Sequence, residues 1–305
     1  MGVLETVLPV VVMVAVGYLF MKKQWIKPEA VDGLKAFVIH ITLPCVLFQA
    51  FYTASYDRTI LVCSGAMFLC CLLGLLTGWL INRLVKRLDK PLLPFMTTGF
   101  EAGMLGYALY GMLFGAENLQ NFAMLDCGHT LFVFTVYTGL LNARKGLPPK
   151  QTVAGILRSP ILIAMALGVI AGVSGLGARI DAGPLGGTVR GLLSFVSAPT
   201  ACVILFVVGY QMRLNAASLK SAIGSLGIRL LVTAGLCALC ILLIGLFLPV
   251  PRALAFAVIL MFAMPAPYIL PIYAGSEAEQ QAAATMLSLN TLATIAMFAV
   301  VAAVA

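Results

Sequence analysis

The chain has 305 residues, 62% of them apolar and only 10% charged, with a mean hydropathy of +1.06 and a net charge of +8. Soluble domains run at roughly 45–50% apolar and about 25% charged. So few charged side chains cannot cover a water-facing surface of this size, which excludes a water-soluble enzyme, a nucleic-acid-binding protein and a disordered chain and leaves a polytopic membrane protein.

A spanning helix needs about 20 apolar residues. On that measure the sequence predicts an all-α membrane protein with ten transmembrane helices, over 3–21, 33–54, 59–82, 91–114, 120–142, 153–175, 187–211, 221–248, 253–274 and 281–303. The first 20 residues lack a basic segment and a small-residue cleavage site, so no cleaved leader is expected. Of the 19 Lys and Arg, thirteen fall in or beside the loops after odd-numbered helices, among them Lys22, Lys23, Lys86, Arg87, Lys145 and Lys150. Four fall in the loops after even-numbered helices: Arg58, Arg179, Arg190 and Arg252. By the positive-inside rule the odd loops are cytoplasmic and both termini external. The remaining two are Lys35, near the start of the second helix, and Arg229, inside the eighth. Arg229 is expected to snorkel or to pair with a carboxylate.

Five helices precede the basic loop and five follow it. An odd number per half makes the second half enter from the opposite side, so the predicted organisation is a first repeat over 1–143, a cytoplasmic linker over 144–152 and an inverted second repeat over 153–305. The halves share landmarks. Pro44 in the second helix matches Pro199 in the seventh. Gly99, Gly103 and Gly106 interrupt the fourth, where Pro265, Pro267 and Pro271 interrupt the ninth. Proline removes a backbone donor and clashes with the preceding turn. Backbone groups freed in lipid must be satisfied by the protein or by a water-filled cavity. Matching interrupted helices in inverted halves point to a secondary transporter's binding site. Pro44, Gly103, Gly106, Pro199, Pro265 and Pro267 are the expected break positions.

Few ionisable groups lie inside the predicted spans. Glu101 is in the middle of the fourth helix, where a charge costs roughly 2.5–3.5 kcal/mol on insertion scales, so a coupling carboxyl for a proton or cation is expected. Asp126 and His129 are spaced i, i+3 on the fifth helix and share a face. They suit a proton relay, a substrate path, or a self-satisfied pair. His40, one turn before Pro44, reads as a packing residue, as do Asn290 and Thr294 in the tenth helix. The eight cysteines lie in apolar stretches and read as small packed hydrophobes. Gly172-Val173-Ser174-Gly175 matches the GxSG of intramembrane serine proteases, but no histidine follows Ser174. There is no HExxH, P-loop or dinucleotide fingerprint, and neither an enzyme nor a metal site is expected.

Several segments together resemble the auxin efflux carrier family, the bacterial relatives of plant PIN proteins. They are Leu43-Pro44-Cys45-Val46-Leu47-Phe48, Gly103-Met104-Leu105-Gly106 through Gly115, Ser159-Pro160-Ile161, Gly209-Tyr210-Gln211-Met212-Arg213-Leu214, and Met264-Pro265-Ala266 with Tyr273-Ala274-Gly275. The resemblance implies the inverted-repeat fold of bile-acid symporters and sodium/proton antiporters. In that fold helices 4 and 9 are broken and cross, helices 1, 2, 6 and 7 form a scaffold, and helices 3–5 and 8–10 form a moving core. It implies elevator-type alternating access, a homodimer in the plasma membrane, and a small organic anion such as malate, malonate or auxin as substrate. Substrate contacts then map onto Leu47, Ala102, Gly103, Met104, Asp126, Pro265, Ala266 and Pro267, beside Glu101. No cofactor is expected beyond a coupling H+ or Na+. Partners are the carboxylate substrate and the lipid bilayer, with no nucleic acid. The sequence departs from the family in carrying Glu101 where asparagine is usual and Ala108 where proline is frequent. An ionised Glu101 would repel a carboxylate, so either it is protonated during anion transport or the solute is neutral or cationic and uses Glu101 and Asp126. A non-transporting sensor on the same fold is the third reading.

Overall fold

The computed structural model describes residues 3–52, 56–85, 90–148, 153–155 and 157–304. Lys86, Arg87 and Lys150, which carry part of the charge argument, lie outside the described residues, as does 149–152 of the predicted linker. Among the described residues every regular element is helical. In chain order these are α1 (Val3–Lys23), α2 (Pro28–Tyr52), α3 (Arg58–Leu84), α4 (Leu93–Met96), α5 (Ala102–Phe114), α6 (Ala116–Arg144), α7 (Pro160–Val173), α8 (Leu176–Ala182), α9 (Gly186–Gln211), α10 (Ala216–Gly245), α11 (Arg252–Ala263) and α12 (Glu277–Val304).

Seven of them are long and apolar enough to cross a membrane: α1, α2, α3, α6, α9, α10 and α12. The pair α7 and α8, bent by 77° at the break between them, makes an eighth if taken as one span. α5 and α11 are shorter apolar helices. The protein is therefore a multi-pass membrane protein. The two stretches expected as the fourth and ninth spans are each divided. Residues 91–114 form the single turn α4, a non-helical stretch over 97–101, and α5. Residues 253–274 form α11, a non-helical stretch, and the 3-10 turn Leu270–Tyr273.

Three of the expected break positions need correction. Pro44 does not interrupt its helix. The turn before it, Val38–Thr42, opens to a π-helix in which the Leu43 N–H reaches back to the Val38 carbonyl. A proline clashes with the carbonyl four residues back, here that of His40, and one wide turn makes room for it. Nor do Gly103 and Gly106 mark the break in the first half. Both lie in a π-helical turn over Ala102–Gly106, where the Gly106 N–H bonds to the Glu101 carbonyl at 3.1 Å. The chain is unwound just before them. Pro199 does sit in a one-turn interruption, between Ser197 and Thr200.

Small residues let helices meet without lipid between them. α1 packs along the C-terminal half of α9. A Cβ on Gly209 would stand 2.0 Å from the Val14 carbonyl oxygen, so only glycine permits that contact. α7 packs on the second half of α2, α3 on α6, and α10 on both α12 and α3. Asp57 caps α3 by accepting the Thr59 N–H at 2.8 Å, and hydrogen bonding from the Thr59 side chain and then its backbone holds the Asp57 carboxyl below the usual range. The two divided stretches lie within this frame.

Candidate functional site

The unwound stretches 97–101 and 264–269 meet. The Glu101 N–H donates to the Pro265 carbonyl at 2.9 Å, and the Tyr268 N–H donates to Glu101 Oε1 at 2.6 Å. Glu101 therefore ties the two breaks together through its backbone and its side chain. Gly99, with φ +70, makes the close approach possible: a Cβ there would lie 3.0 Å from the Tyr137 ring and 3.1 Å from Pro267.

Unwinding leaves backbone groups without helix partners, and in an apolar interior each must find another. Arg229, 1% exposed, supplies most of the donors. Its guanidinium donates to the carbonyls of Met96 at 2.6 Å, Gly99 at 3.0 Å, Met264 at 3.0 Å and Thr98 at 3.5 Å. It thus neither snorkels nor pairs with a carboxylate among the described residues; the carbonyls freed by both breaks take that place. The hydroxyls of Thr97 and Thr98 anchor the first stretch to α3, at the Gly74 and Cys71 carbonyls. Thr294 of α12 donates to the Ala263 carbonyl at 2.6 Å, at the end of α11.

His129 Nε2 accepts the Phe100 N–H at 2.9 Å, and its Nδ1 lies 3.0 Å from Asp126 Oδ1. With Nε2 accepting, Nδ1 carries the proton and donates to Asp126. Asp126 also accepts from Thr130 at 3.2 Å and from Tyr107 at 3.1 Å. Both residues are buried, at 3% and 4% exposure. The i, i+3 pair holds the unwound chain, with every polar atom of the two side chains engaged.

Two cavities adjoin elements of the divided stretches. One, of about 270 Å³, is lined by Lys35, Gln211, Arg213, Tyr268, Ser288 and Thr291 among apolar neighbours. Lys35 is half-buried there and has no hydrogen-bond or ion-pair partner among the described residues. It interacts electrostatically with Glu101. Tyr268, whose N–H holds Glu101, bonds through its hydroxyl to Thr291 at 2.8 Å. The other cavity, of about 310 Å³, carries no charged lining residue; its polar lining includes Gln49, Tyr107, Ser194, Ser197 and Thr200. The hydroxyls of Ser197 and Thr200 are buried without a partner among the described residues.

Of the expected substrate contacts, Leu47 on α2 and Ala102, Met104, Pro265, Ala266 and Pro267 at the crossing are buried and line neither cavity. Gly103 and Asp126 line neither one either. Glu101 is reached through Tyr268, which does line the first. Lys35 is the residue that the sequence reading passed over, counted only as a charge near a helix start. A lysine one turn inside an apolar helix, beyond the loop that positive-inside counting would assign it to, was the available signal.

A family model described as a membrane transport protein matches residues 2–154. Over 243 residues the chain is 29% identical to an uncharacterized transporter of Methanothermobacter thermautotrophicus (strain Delta H), covering 76% of each chain.

Proposed function

The chain belongs to the membrane transport protein family, the auxin efflux carriers that its motifs resemble, and from that premise we propose that it is a secondary transporter of a small organic anion. The carrying observation is Lys35, which has no hydrogen-bond or ion-pair partner among the described residues and lines a cavity with Tyr268, whose N–H holds Glu101. An ammonium in a half-buried cavity recognises a carboxylate by a charge-assisted hydrogen bond worth roughly 1.5–3 kcal/mol. Apolar neighbours such as Leu287 and Val208 hold the organic body. The alternative of a cationic solute held by Glu101 and Asp126 has less support, because Asp126 is already bonded to three donors.

The same reading takes the ten apolar stretches as two inverted five-helix repeats. The helix contacts support it. Taking stretches one to ten in order, the first packs on the seventh and the second on the sixth, as exchange of the halves requires. The third packs on the fifth and the eighth on the tenth by the same rule. In the proposed cycle the block carrying the crossing moves against a scaffold that includes Lys35, with Glu101 as the proton carrier. Plasma-membrane placement with external termini, and assembly as a homodimer, belong to the same proposal.

A thermal-shift screen of purified protein against dicarboxylates, indole acids, amino acids and amines tests the substrate class. A ligand at about 100 times its Kd stabilises by roughly 2.7 kcal/mol. Carboxylates are expected to raise the melting temperature. Lys35→Gln is expected to weaken their binding roughly 10- to 100-fold, the equivalent of about 1.4–2.7 kcal/mol, with the ligand-free melting temperature unchanged. Stabilisation by amines alone would transfer the reading to cationic solutes.

A further inference from the structure

Arg229 holds four carbonyl oxygens, from Met96, Thr98, Gly99 and Met264. Met96 ends the single turn α4 and Met264 follows α11, so the guanidinium sits where the helical runs before both breaks stop. Carbonyl oxygens carry partial negative charge, and the low dielectric of the interior magnifies it. No carboxylate forms an ion pair with Arg229 among the described residues, and its guanidinium lies 5.1 Å from the centre of the Phe100 ring. Its charge is therefore balanced by carbonyl dipoles and an aromatic face. That set of partners suits a desolvated monovalent cation rather than a salt bridge.

We propose that Arg229 is a tethered cation: a positioning residue whose charge, as well as its hydrogen bonds, clamps the two breaks into one block. The carbonyl cage is then a site for a guanidinium-type cation that the chain fills from α10. Its positive charge stays with the crossing throughout any transport cycle and is not exchanged with the medium. The planar fork matters because it reaches carbonyls of two chain segments at once. Nothing in this inference depends on the identity of the cargo, so it stands or falls separately from the anion reading.

Removal of the side chain leaves the cage open to a free cation of the same shape. Purified full-length Arg229→Ala is expected to melt several degrees below wild type. Millimolar methylguanidinium is expected to restore at least half of the loss. Methylurea, its neutral near-isostere, is expected to restore none, and neither compound should shift wild type. Equal rescue by both compounds, or by neither, overturns the proposal, because a cavity that needs only filling does not distinguish them. If Arg229→Ala does not fold, Arg229→Lys and Arg229→Gln decide the matter. Lysine keeps the charge and loses the fork, whereas glutamine keeps donors without charge. A melting temperature for lysine above that for glutamine supports the tethered cation, and the reverse order, or equality, refutes it.

Discussion

Glu101→Gln is expected to abolish proton-driven accumulation of substrate while leaving the fold and anion binding intact. The fold survives because glutamine keeps a carbonyl oxygen where Glu101 Oε1 accepts the Tyr268 N–H at 2.6 Å. The backbone bond from the Glu101 N–H to Pro265 does not involve the side chain. What glutamine cannot do is take up and release a proton. Anion binding persists because Lys35 is untouched and a neutral amide does not repel a carboxylate. In proteoliposomes with an imposed pH gradient, the variant should show no concentrative uptake and normal substrate exchange. Binding by the variant should also lose its pH dependence. Undiminished gradient-driven uptake would falsify the proton-carrier role, and loss of binding for every anion would make Glu101 a binding group instead. Glu101→Ala differs in kind. It leaves the Tyr268 N–H without its acceptor, at a cost of about 1–3 kcal/mol, and so confounds folding with coupling.

A large effect on stability is expected at Gly99. Its φ of +70 is a conformation that β-branched residues strongly disfavour, and strain of that kind costs of order 1–3 kcal/mol. Valine adds bulk where a Cβ alone would already lie 3.0 Å from Tyr137 and 3.1 Å from Pro267. Overpacking adds about 1–3 kcal/mol more. Tyr137 cannot simply turn aside, since its hydroxyl is bonded to the Phe95 carbonyl at 3.0 Å. Gly99→Val should therefore melt far below wild type or fail to give monodisperse protein in detergent. Gly103→Ala is the matched control. Gly103 is helical, and a Cβ there meets only Leu43 Cδ2, at the ordinary distance of 3.5 Å. It should melt within a few degrees of wild type. Equal stability of the two variants would contradict the close crossing.

The difference between these glycines marks what the sequence discloses. Proline leaves a readable trace because it alters its own helix, so the break at Met264–Pro267 is legible without partners. A glycine cluster marks a region, not a position. Gly99, Gly103 and Gly106 look alike in sequence, and only tertiary packing assigns the unwound stretch to the first of them. Pro44 shows the converse, since a single π-turn absorbs a proline that reads as a break. Asp126 and His129 are legible as a pair because i, i+3 spacing is local. Arg229 is not, because its carbonyl partners at Met96, Thr98 and Gly99 lie at least 130 residues away in sequence. Lys35 escaped for a related reason: its importance comes from the cavity formed by α9, α12 and the second break, none of which is near it in the chain.

In the proposed function a small organic anion crosses the membrane through the space between Lys35 and the crossing. Counterflow in proteoliposomes measures this without assuming a driving force. Vesicles loaded with the carboxylate that most stabilises the purified protein are diluted into a trace of the same compound carrying a radiolabel. Transient labelled uptake is expected that requires the unlabelled compound inside and is strongly reduced in Lys35→Gln. Tight carboxylate binding with no counterflow in wild-type vesicles would contradict it and leave a sensor in place of a carrier.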